Sequence, residues 1–360
     1  MKKIILTGGG SAGHVTPNLS LLPYLRKNNF EIHYLGSENG IEKEIIEKEK
    51  DIIYHSIRTG KLRRYFSWKN FTDPFRVIGG YNDSKKIVKE IKPDIVFSKG
   101  GFVSVPVVLA AHKYKVPVIS HESDMTPGLA NKITKRYATK LCVTFPEALN
   151  EIEDGKGCFT GSPIRDEFYR GNAEKARKVL NFDSKPVLLI MGGSLGSKVI
   201  NEAIRANLPE LCKRFNIIHL CGKNNLCEIS ENDTDVVKSY RQYEFVRDEL
   251  SNFMALSDYI ISRAGSNAIH EFLALKKPML LIPLSRAASR GDQILNARSF
   301  EKRGYAIVLE EEQLSPFSLL KSIDFMVSDK DKMINAMASA ENANGTNAIT
   351  KLIGEICGIR

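Results

Sequence analysis

Residues 2–14 read KKIILTGGGSAGH, an apolar run that breaks into a glycine-rich turn, and residues 187–197 read VLLIMGGSLGS, the same arrangement again. A buried strand that ends at glycine and restarts as a helix leaves unpaired backbone N–H groups at the positive end of the helix dipole. Such a turn suits a phosphate group. Two of them, one in each half of the chain, predict two nucleotide-fold domains that face one cleft.

Short β-rich runs alternate with helix-length amphipathic segments, which predicts βα units and parallel sheets. Strands are expected at 2–7, 31–35, 94–98, 118–121 and 140–143, and again at 187–191, 217–220, 243–246, 258–262, 279–282 and 306–309. The halves also resemble each other, since DIVFSKGG at 94–101 is echoed by DYIISRAG at 258–265. The predicted domains are residues 1–162 and 163–340, followed by a C-terminal helical segment, 341–360, that packs back on the first domain.

The composition is that of a folded globular protein with an anionic partner. Among 360 residues, 52 basic and 42 acidic side chains leave a net charge of +10, which favours nucleic acid, lipid headgroups or a nucleotide sugar. No stretch approaches the roughly 18 apolar residues that span a bilayer, and no signal peptide is evident. The six cysteines form no Cys-x-x-Cys pair, so neither disulfides nor zinc is expected.

A basic-aromatic segment, residues 61–76, concentrates this charge. Basic side chains alternate there with large aromatic ones, and the aromatic candidates for membrane contact are Tyr65, Phe66, Trp68, Phe71 and Phe75. A nucleic-acid surface would need partner motifs that are not visible, and a solvated loop would not carry so many apolar side chains. The pattern favours a membrane surface, with aromatic rings in the interface and cations at anionic headgroups.

Two motifs could indicate a dinucleotide site or a metal site, but the residues around them argue against both interpretations. Gly8-x-Gly10-x-x-Gly13 matches the dinucleotide fingerprint, but the second strand ends in Gly36-Ser37 and Glu38 comes late for the ribose-binding acid. An oxidoreductase is therefore disfavoured. The Asp-x-Asp strings at 233–235 and 329–331 lie in polar, loop-like surroundings, so we interpret them as solvated surface and predict no bound metal.

His14 directly follows the first turn, where it is a candidate general base beside a bound phosphate. A helix-capping or phosphate-binding histidine is an equal alternative from position alone. His121-Glu122 ends a predicted strand on the same sheet edge, and before any family information a structural histidine is the favoured interpretation there. The residues alone leave the identity of the base open.

Taken together and in order, a set of motifs resembles one bacterial peptidoglycan glycosyltransferase family, which moves N-acetylglucosamine from UDP onto undecaprenyl-pyrophosphoryl-N-acetylmuramoyl-pentapeptide (lipid I) to form lipid II. The motifs are GGGSAGH (8–14), KGGFVS (99–104), HES (121–123), GLANK (128–132), GSPIR (161–165), GGS (192–194), RAG (263–265), Glu271, Gln293 and Asn296-Ala297. The resemblance implies an α/β protein of the GT-B fold, two Rossmann-like domains with an interdomain cleft. It also implies a role in peptidoglycan synthesis, and so in cell shape and division, as a peripheral protein on the cytoplasmic face of the cell membrane.

The resemblance further implies which residues bind each substrate. Donor binding would fall to Arg165 and Ser194 at the diphosphate, Val246 at uracil, Glu271 at the ribose, and Gln293 and Asn296 at the sugar. Acceptor and phosphate binding would fall to Gly9, Gly10, Ser11, Gly13, Gly100, Gly101, His121, Glu122 and Asn131, with His14 as the base. This chain departs from the family at three places. It has Ser123-Asp124 where Gln-Asn is common, Leu195 where a polar residue is frequent, and Asp292-Gln293 where a Gln-Gln pair is frequent.

The chemistry agrees with these residue types. An acceptor hydroxyl attacks the anomeric carbon as UDP leaves, and the configuration inverts. Fixed N–H groups and Arg165 would stabilise the charge on the diphosphate, so no metal or other cofactor is required. The alternatives are another GT-B glycolipid transferase, a UDP-N-acetylglucosamine 2-epimerase, and, from a different class, a non-catalytic basic membrane- or RNA-binding protein.

Overall fold

The chain folds into two compact units, and the computed structural model describes residues 1–60, 69–152, 155–193 and 196–359, with only the backbone for 69–75. Unit 1 comprises Met1–Arg165 and Asn344–Arg360, and unit 2 comprises Asp166–Ala343. Arg165, which the sequence analysis assigned to the second domain, therefore ends the first segment of unit 1.

Within the described residues, the sheet of unit 1 has seven parallel strands: β1 (Lys3–Thr7), β2 (Glu31–Ser37), β3 (Ile52–Ile57), β4 (Ile95–Ser98), β5 (Val118–Glu122), β6 (Lys140–Val143) and β7 (Gly157–Phe159). Their order is β3-β2-β1-β4-β5-β6-β7. The chain moves outward from β1 on one side and returns to add β4 on the other. The loops after β1 and β4 therefore diverge and leave a crevice at the carboxyl ends of these strands.

The described part of unit 2 repeats this plan with six parallel strands: β8 (Val187–Met191), β9 (Asn216–Leu220), β10 (Tyr240–Tyr243), β11 (Tyr259–Ser262), β12 (Met279–Leu281) and β13 (Ala306–Val308). Their order, β10-β9-β8-β11-β12-β13, is that of the first six strands of unit 1. The prediction of two Rossmann-like parallel-sheet domains is confirmed, and each glycine-rich turn follows the strand at which the strand order reverses.

Helices cover both sheets. In unit 1 they are α1 (Thr16–Leu19), α2 (Leu22–Lys27), α3 (Ile41–Ile46), α4 (Lys69–Ile91), α5 (Ser104–Lys113) and α6 (Leu129–Thr134). In unit 2 they are α7 (Ala173–Leu180), α8 (Lys198–Arg205), α9 (Leu208–Arg214), α10 (Thr234–Ser239), α11 (Leu250–Leu256), α12 (Ser266–Ala274), α13 (Asp292–Lys302), α14 (Pro316–Ser328) and α15 (Lys330–Ala338). The last helix, α16 (Thr346–Cys357), belongs to unit 1.

The sequence repeat extends to the hydrogen bonds that hold the central strands. Asp94, just before β4, accepts the backbone N–H of Lys3 at 2.8 Å, and Asp258, just before β11, accepts that of Val187 at 2.9 Å. In each unit, an aspartate at the equivalent position thus holds the fourth strand beside the first.

The core of unit 1 lies on both faces of its sheet, because successive side chains of a strand point to opposite faces. Ile4 and Leu6 pack on one face in a cluster that includes Ile353 of α16. Ile5 points to the other face, where α4 and α5 contribute apolar side chains. The C-terminal helix is therefore part of this core.

The basic-aromatic segment falls largely outside this description. Tyr65, Phe66 and Trp68 lie outside the described residues, as do the side chains of Phe71 and Phe75 at the start of α4. Among the helices of the described residues, none is both long and apolar enough to cross a bilayer.

Candidate functional site

The first glycine-rich turn leads from β1 into a short 3₁₀ turn, Ala12–His14, and then into α1 and α2. Pro17 lies in the first turn of α1 and Pro23 in the first turn of α2. Because proline has no N–H to donate inside a helix, Pro23 falls where α1 has ended and α2 begins. The turn and His14 follow β1 directly and therefore lie at the carboxyl edge of the sheet.

The loop after β4 packs directly against this turn. Gly101 has φ +82°, and a Cβ built on it would collide with the carbonyl oxygen of Gly9 and lie 3.1 Å from His14 Nδ1. Gly100 has φ +88°, and its Cβ would lie 2.8 Å from Asn131 Oδ1. Only glycine permits both the left-handed conformation and this close approach. The structure thus brings Gly9, Gly100, Gly101, His14 and Asn131 together.

His14 is held in a defined orientation. Its Nδ1 lies 3.0 Å from Ser11 Oγ. Burial, and after it the positive charge of Lys99, lower the pKa of His14 from 6.5 to about 4, against the opposing effects of a Gly9 backbone hydrogen bond and Glu42. The imidazole is therefore neutral at pH 7, which is the form that accepts a proton.

Glu42 is a residue of this site that the sequence analysis missed. It is fully buried at the start of α3, where Oε2 accepts the Gly10 N–H at 3.3 Å and Oε1 accepts the Ser37 N–H at 3.0 Å. Glu42 follows the second strand four residues after Glu38, the acid that the dinucleotide fingerprint brought to attention. Glu42 thus ties the turn to the end of β2 and takes up one of the turn's N–H groups.

His121 and Glu122 end β5, and both are buried. His121 Nε2 donates to the Gly161 carbonyl at 3.0 Å, which places its ring proton on that nitrogen. Glu122 accepts from Asn131 Nδ2 at 2.7 Å and from the Gly128 N–H at 3.2 Å, and burial raises its pKa. Glu122 thus braces the loop between β5 and α6, whereas His121 ties the end of β5 to the segment after β7.

The second glycine-rich turn, in unit 2, links β8 to α8. Gly193 and Gly196 have φ +91° and +76°, and a Cβ on Gly196 would collide with the Cys221 carbonyl. Ser197 caps α8, because its side chain accepts the Ile200 N–H. Ser194, the predicted diphosphate contact, lies outside the described residues.

A buried arginine that the sequence analysis did not assign supports this second turn. Arg263, directly after β11, donates Nη2 to Ser197 Oγ at 2.7 Å and Nη1 to the carbonyls of Ile282 and Pro283 at 3.1 and 3.2 Å. Its Nη2 also pairs with the Glu311 carboxylate, and the two side chains are only 9% and 15% exposed. The guanidinium thus connects the turn, the end of β12 and the segment after β13.

The other predicted donor residues surround the carboxyl edge of the same sheet. On α13, Gln293 Oε1 accepts the Leu284 N–H at 3.0 Å, and Asn296 Nδ2 donates to the Ala264 carbonyl at 3.2 Å. Glu271 lies on α12, and Val246 is buried after β10. The structure places these four in unit 2, whereas Arg165 ends the first segment of unit 1.

Neither Asp-x-Asp string forms a carboxylate cluster. Asp233 caps α10 by accepting the Val236 N–H, and Asp329 accepts from Lys332 Nζ at 2.8 Å. Within the described ranges, no group of three or more His, Cys, Asp or Glu side chains is arranged to hold a metal ion.

Comparisons with known proteins cover almost the whole chain. Residues 4–143 match the glycosyltransferase family 28 N-terminal domain, and residues 187–353 match its C-terminal domain. A Clostridium tetani protein is 56% identical over 353 residues, 98% of this chain and 97% of its own. A Clostridium botulinum protein is 59% identical over 352 residues, 98% of this chain and 96% of its own. Both are named UDP-N-acetylglucosamine--N-acetylmuramyl-(pentapeptide) pyrophosphoryl-undecaprenol N-acetylglucosamine transferase.

Solved structures share the fold at lower identity. MurG of Acinetobacter baumannii superposes with a TM-score of 0.75 at 24% identity, covering 99% of this chain and 100% of that one. A UDP-GlcNAc 2-epimerase from Neisseria meningitidis, bound to UDP-GlcNAc, gives a TM-score of 0.65 at 16% identity and covers 100% of both chains.

Proposed function

The chain belongs to glycosyltransferase family 28, and from that membership we propose that it transfers N-acetylglucosamine from UDP-N-acetylglucosamine to undecaprenyl-pyrophosphoryl-N-acetylmuramoyl-pentapeptide. The family resemblance read from the motifs is confirmed, and the chain is a glycosyltransferase. The assignment of the two substrates rests on sequence identity: this chain is 56% and 59% identical, over 98% of its length, to transferases named for this reaction.

The reaction that we propose is a single displacement. The acceptor hydroxyl oxygen forms a bond to the anomeric carbon of N-acetylglucosamine as the bond from that carbon to the diphosphate oxygen breaks. The electron pair of the broken bond leaves with UDP, and the hydroxyl proton passes to His14. His14 suits this role because its ring is neutral at pH 7 and lies beside the first glycine-rich turn.

We assign the donor to unit 2 and the acceptor to unit 1. The turn from Gly192 to Ser197 would receive the diphosphate with Arg165, while Glu271, Gln293, Asn296 and the backbone at Val246 would contact the ribose, sugar and uracil. In unit 1, Gly9, Gly10, Ser11, Gly13, Gly100 and Gly101 would line the acceptor pyrophosphate. His121, Glu122 and Asn131 would support this site, because Glu122 holds Asn131 and the Gly128 N–H, and His121 Nε2 donates to the Gly161 carbonyl.

A coupled assay tests the proposal: purified protein, UDP-N-acetylglucosamine and a lipid I analogue. We expect UDP release and a disaccharide lipid in equal amounts, and unchanged turnover in EDTA since a protein cation serves the diphosphate. A reaction without acceptor is the control, because an epimerase would interconvert the sugar or release UDP there. Folded protein that yields neither product would refute the transferase function.

Peripheral attachment to the membrane is part of the proposal, and it rests on the composition of the basic-aromatic segment. Replacing Trp68 and Phe71 together with Ser is expected to weaken binding to vesicles that contain anionic lipid, because aromatic rings anchor at the interface. Turnover on a water-soluble acceptor should remain close to that of the wild type. Vesicle co-sedimentation and the coupled assay measure the two effects, and equal loss of both would place the segment in the core or active site instead.

A further inference from the structure

Lys99 is a buried cation at the edge of the acceptor site that the proposed mechanism does not use. It directly follows β4, its backbone N–H donates to the Thr7 carbonyl at 2.9 Å, and it is 1% exposed. Its Cβ would lie 3.1 Å from a Cβ at Gly8, so the side chain begins beside the first glycine-rich turn. The nearby charge of Lys99 also acts on His14.

The protein provides fewer hydrogen-bond acceptors for the ammonium group of Lys99 than that group can use. Nζ has three hydrogens to donate, yet within the described part of the chain its one hydrogen-bond partner is Ser123 Oγ. Glu122 and Asp124 attract it electrostatically, but no carboxylate of the described residues forms an ion pair with it. Both Glu122 oxygens already accept from Asn131, Gly128 and Asp124. A buried charge with unused donors is costly unless a ligand completes it.

The internal repeat supplies a matched comparison. Lys99 in DIVFSKGG and Arg263 in DYIISRAG occupy the same position after the fourth strand of their units. Arg263 is satisfied by Glu311, Ser197 and two carbonyls. Unit 1 gives Lys99 no such set. The equivalent cation is therefore structural in unit 2 and available in unit 1.

We propose that Lys99 binds a phosphate oxygen of a diphosphate ligand in unit 1, and that this diphosphate is the pyrophosphate of the acceptor lipid. The identification of the diphosphate as part of the acceptor lipid rests on the proposed function. The binding of a phosphate group by Lys99 does not depend on that function. The ammonium would add a charged donor to the N–H groups of the first glycine-rich turn. Ser123-Asp124, where the family commonly has Gln-Asn, would then hold the lysine rather than contact the substrate.

The protonation of Lys99 agrees with this role. Burial lowers its pKa from 10.5 to about 8, while Glu122 and Asp124 oppose that shift. The group is therefore still charged at pH 7 and loses its charge as the pH rises through about 8. The groups that face it are Glu122 at the end of β5, Ser123 and Asp124 directly after that strand, and His14 at the turn.

Binding of inorganic pyrophosphate tests the proposal directly. Titration calorimetry is carried out with saturating UDP, so that the donor turn of unit 2 is occupied. We expect Lys99→Met to weaken pyrophosphate binding about tenfold or more, as loss of a charge-assisted hydrogen bond would. The matched control, Lys113→Met on the exposed end of α5, removes the same charge from the same unit and should change nothing. The difference between wild type and Lys99→Met should shrink above about pH 8.

Steady-state kinetics identify the source of the diphosphate. The KM for the lipid I analogue should rise about tenfold in Lys99→Met and in Lys99→Gln, and the KM for UDP-N-acetylglucosamine should stay constant. The melting temperature should not fall, because the variants remove a buried charge. Pyrophosphate affinity within twofold of the wild type in a folded variant would overturn the Lys99 proposal, as would a change confined to the donor KM. If the wild-type protein shows no transferase activity but its pyrophosphate affinity still depends on Lys99, the transferase function is refuted and the phosphate site at Lys99 stands.

Discussion

The His14→Ala variant is expected to lose about 10²–10⁴-fold in kcat, the usual contribution of a general base. The ring is partly exposed and contacts Ser11 and the glycine-rich turn, so its removal should leave the melting temperature close to that of the wild type. The measurement is the coupled assay at saturating concentrations of both substrates. His112→Ala, at the exposed end of α5, is the matched control and should retain full activity.

The kinetic pattern separates the two roles that the sequence left open for His14. A general base acts in the transition state, so its loss lowers kcat with little change in the acceptor KM. A phosphate-binding or capping histidine would instead raise the acceptor KM and spare kcat. That second result would contradict the assignment of His14 as the base.

The pH profile of the free enzyme tests the same assignment. The pKa of His14 is lowered to about 4, so the ring stays neutral as the pH falls past 6.5 and gains a proton only near 4. The acid limb of kcat/KM should therefore lie well below pH 6.5. Lys99→Met removes one of the causes of the lowered pKa and should move that limb to higher pH. Among the charges that face His14, Glu42 opposes this shift.

Strands inside the sheets were predicted more accurately than edge strands, with the exception of edge strand β13, which was predicted to within one residue. The central strands β1, β4, β8 and β11 are apolar on both faces and were predicted to within a residue or two. The edge strands β3 and β7 were not predicted, because β3 is half-exposed and β7 has only three residues. Edge strand β10 was placed at 243–246 instead of Tyr240–Tyr243, because Phe245-Val246 is more apolar than Arg241-Gln242.

Site residues could be predicted where their role depends on neighbours in the sequence. They could not be predicted where the role depends on a partner far away in the sequence. The two glycine-rich turns were visible because a left-handed turn and a close backbone approach require glycine. Glu42, Lys99 and Arg263 were not assigned, because each acts through a partner that lies on another element. Sequence spacing does not reveal that Glu42 reaches Gly10, or that Arg263 reaches Glu311.

Replacing Arg263 with Met is expected to destabilise unit 2 by about 3–5 kcal/mol, the usual cost of removing one partner of a buried ion pair. The Glu311 carboxylate would be left buried without its counter-charge, and Ser197 and two carbonyls would lose their donor. Denaturant unfolding measures the loss of free energy. Because Ser197 caps the helix that follows the second glycine-rich turn, UDP affinity should fall as well.

The control for Arg263 lies on a neighbouring part of the same unit. Arg298 pairs with Glu301 and Glu310, but its side chain is 48% exposed. Arg298→Met should therefore cost only about 0–1 kcal/mol, as exposed ion pairs do. Adding Glu311→Gln to Arg263→Met should recover part of the lost stability, because it removes the unpaired charge. Equal effects of the two arginine variants, or no recovery in the double variant, would show that the Arg263–Glu311 pair is not what secures the second turn.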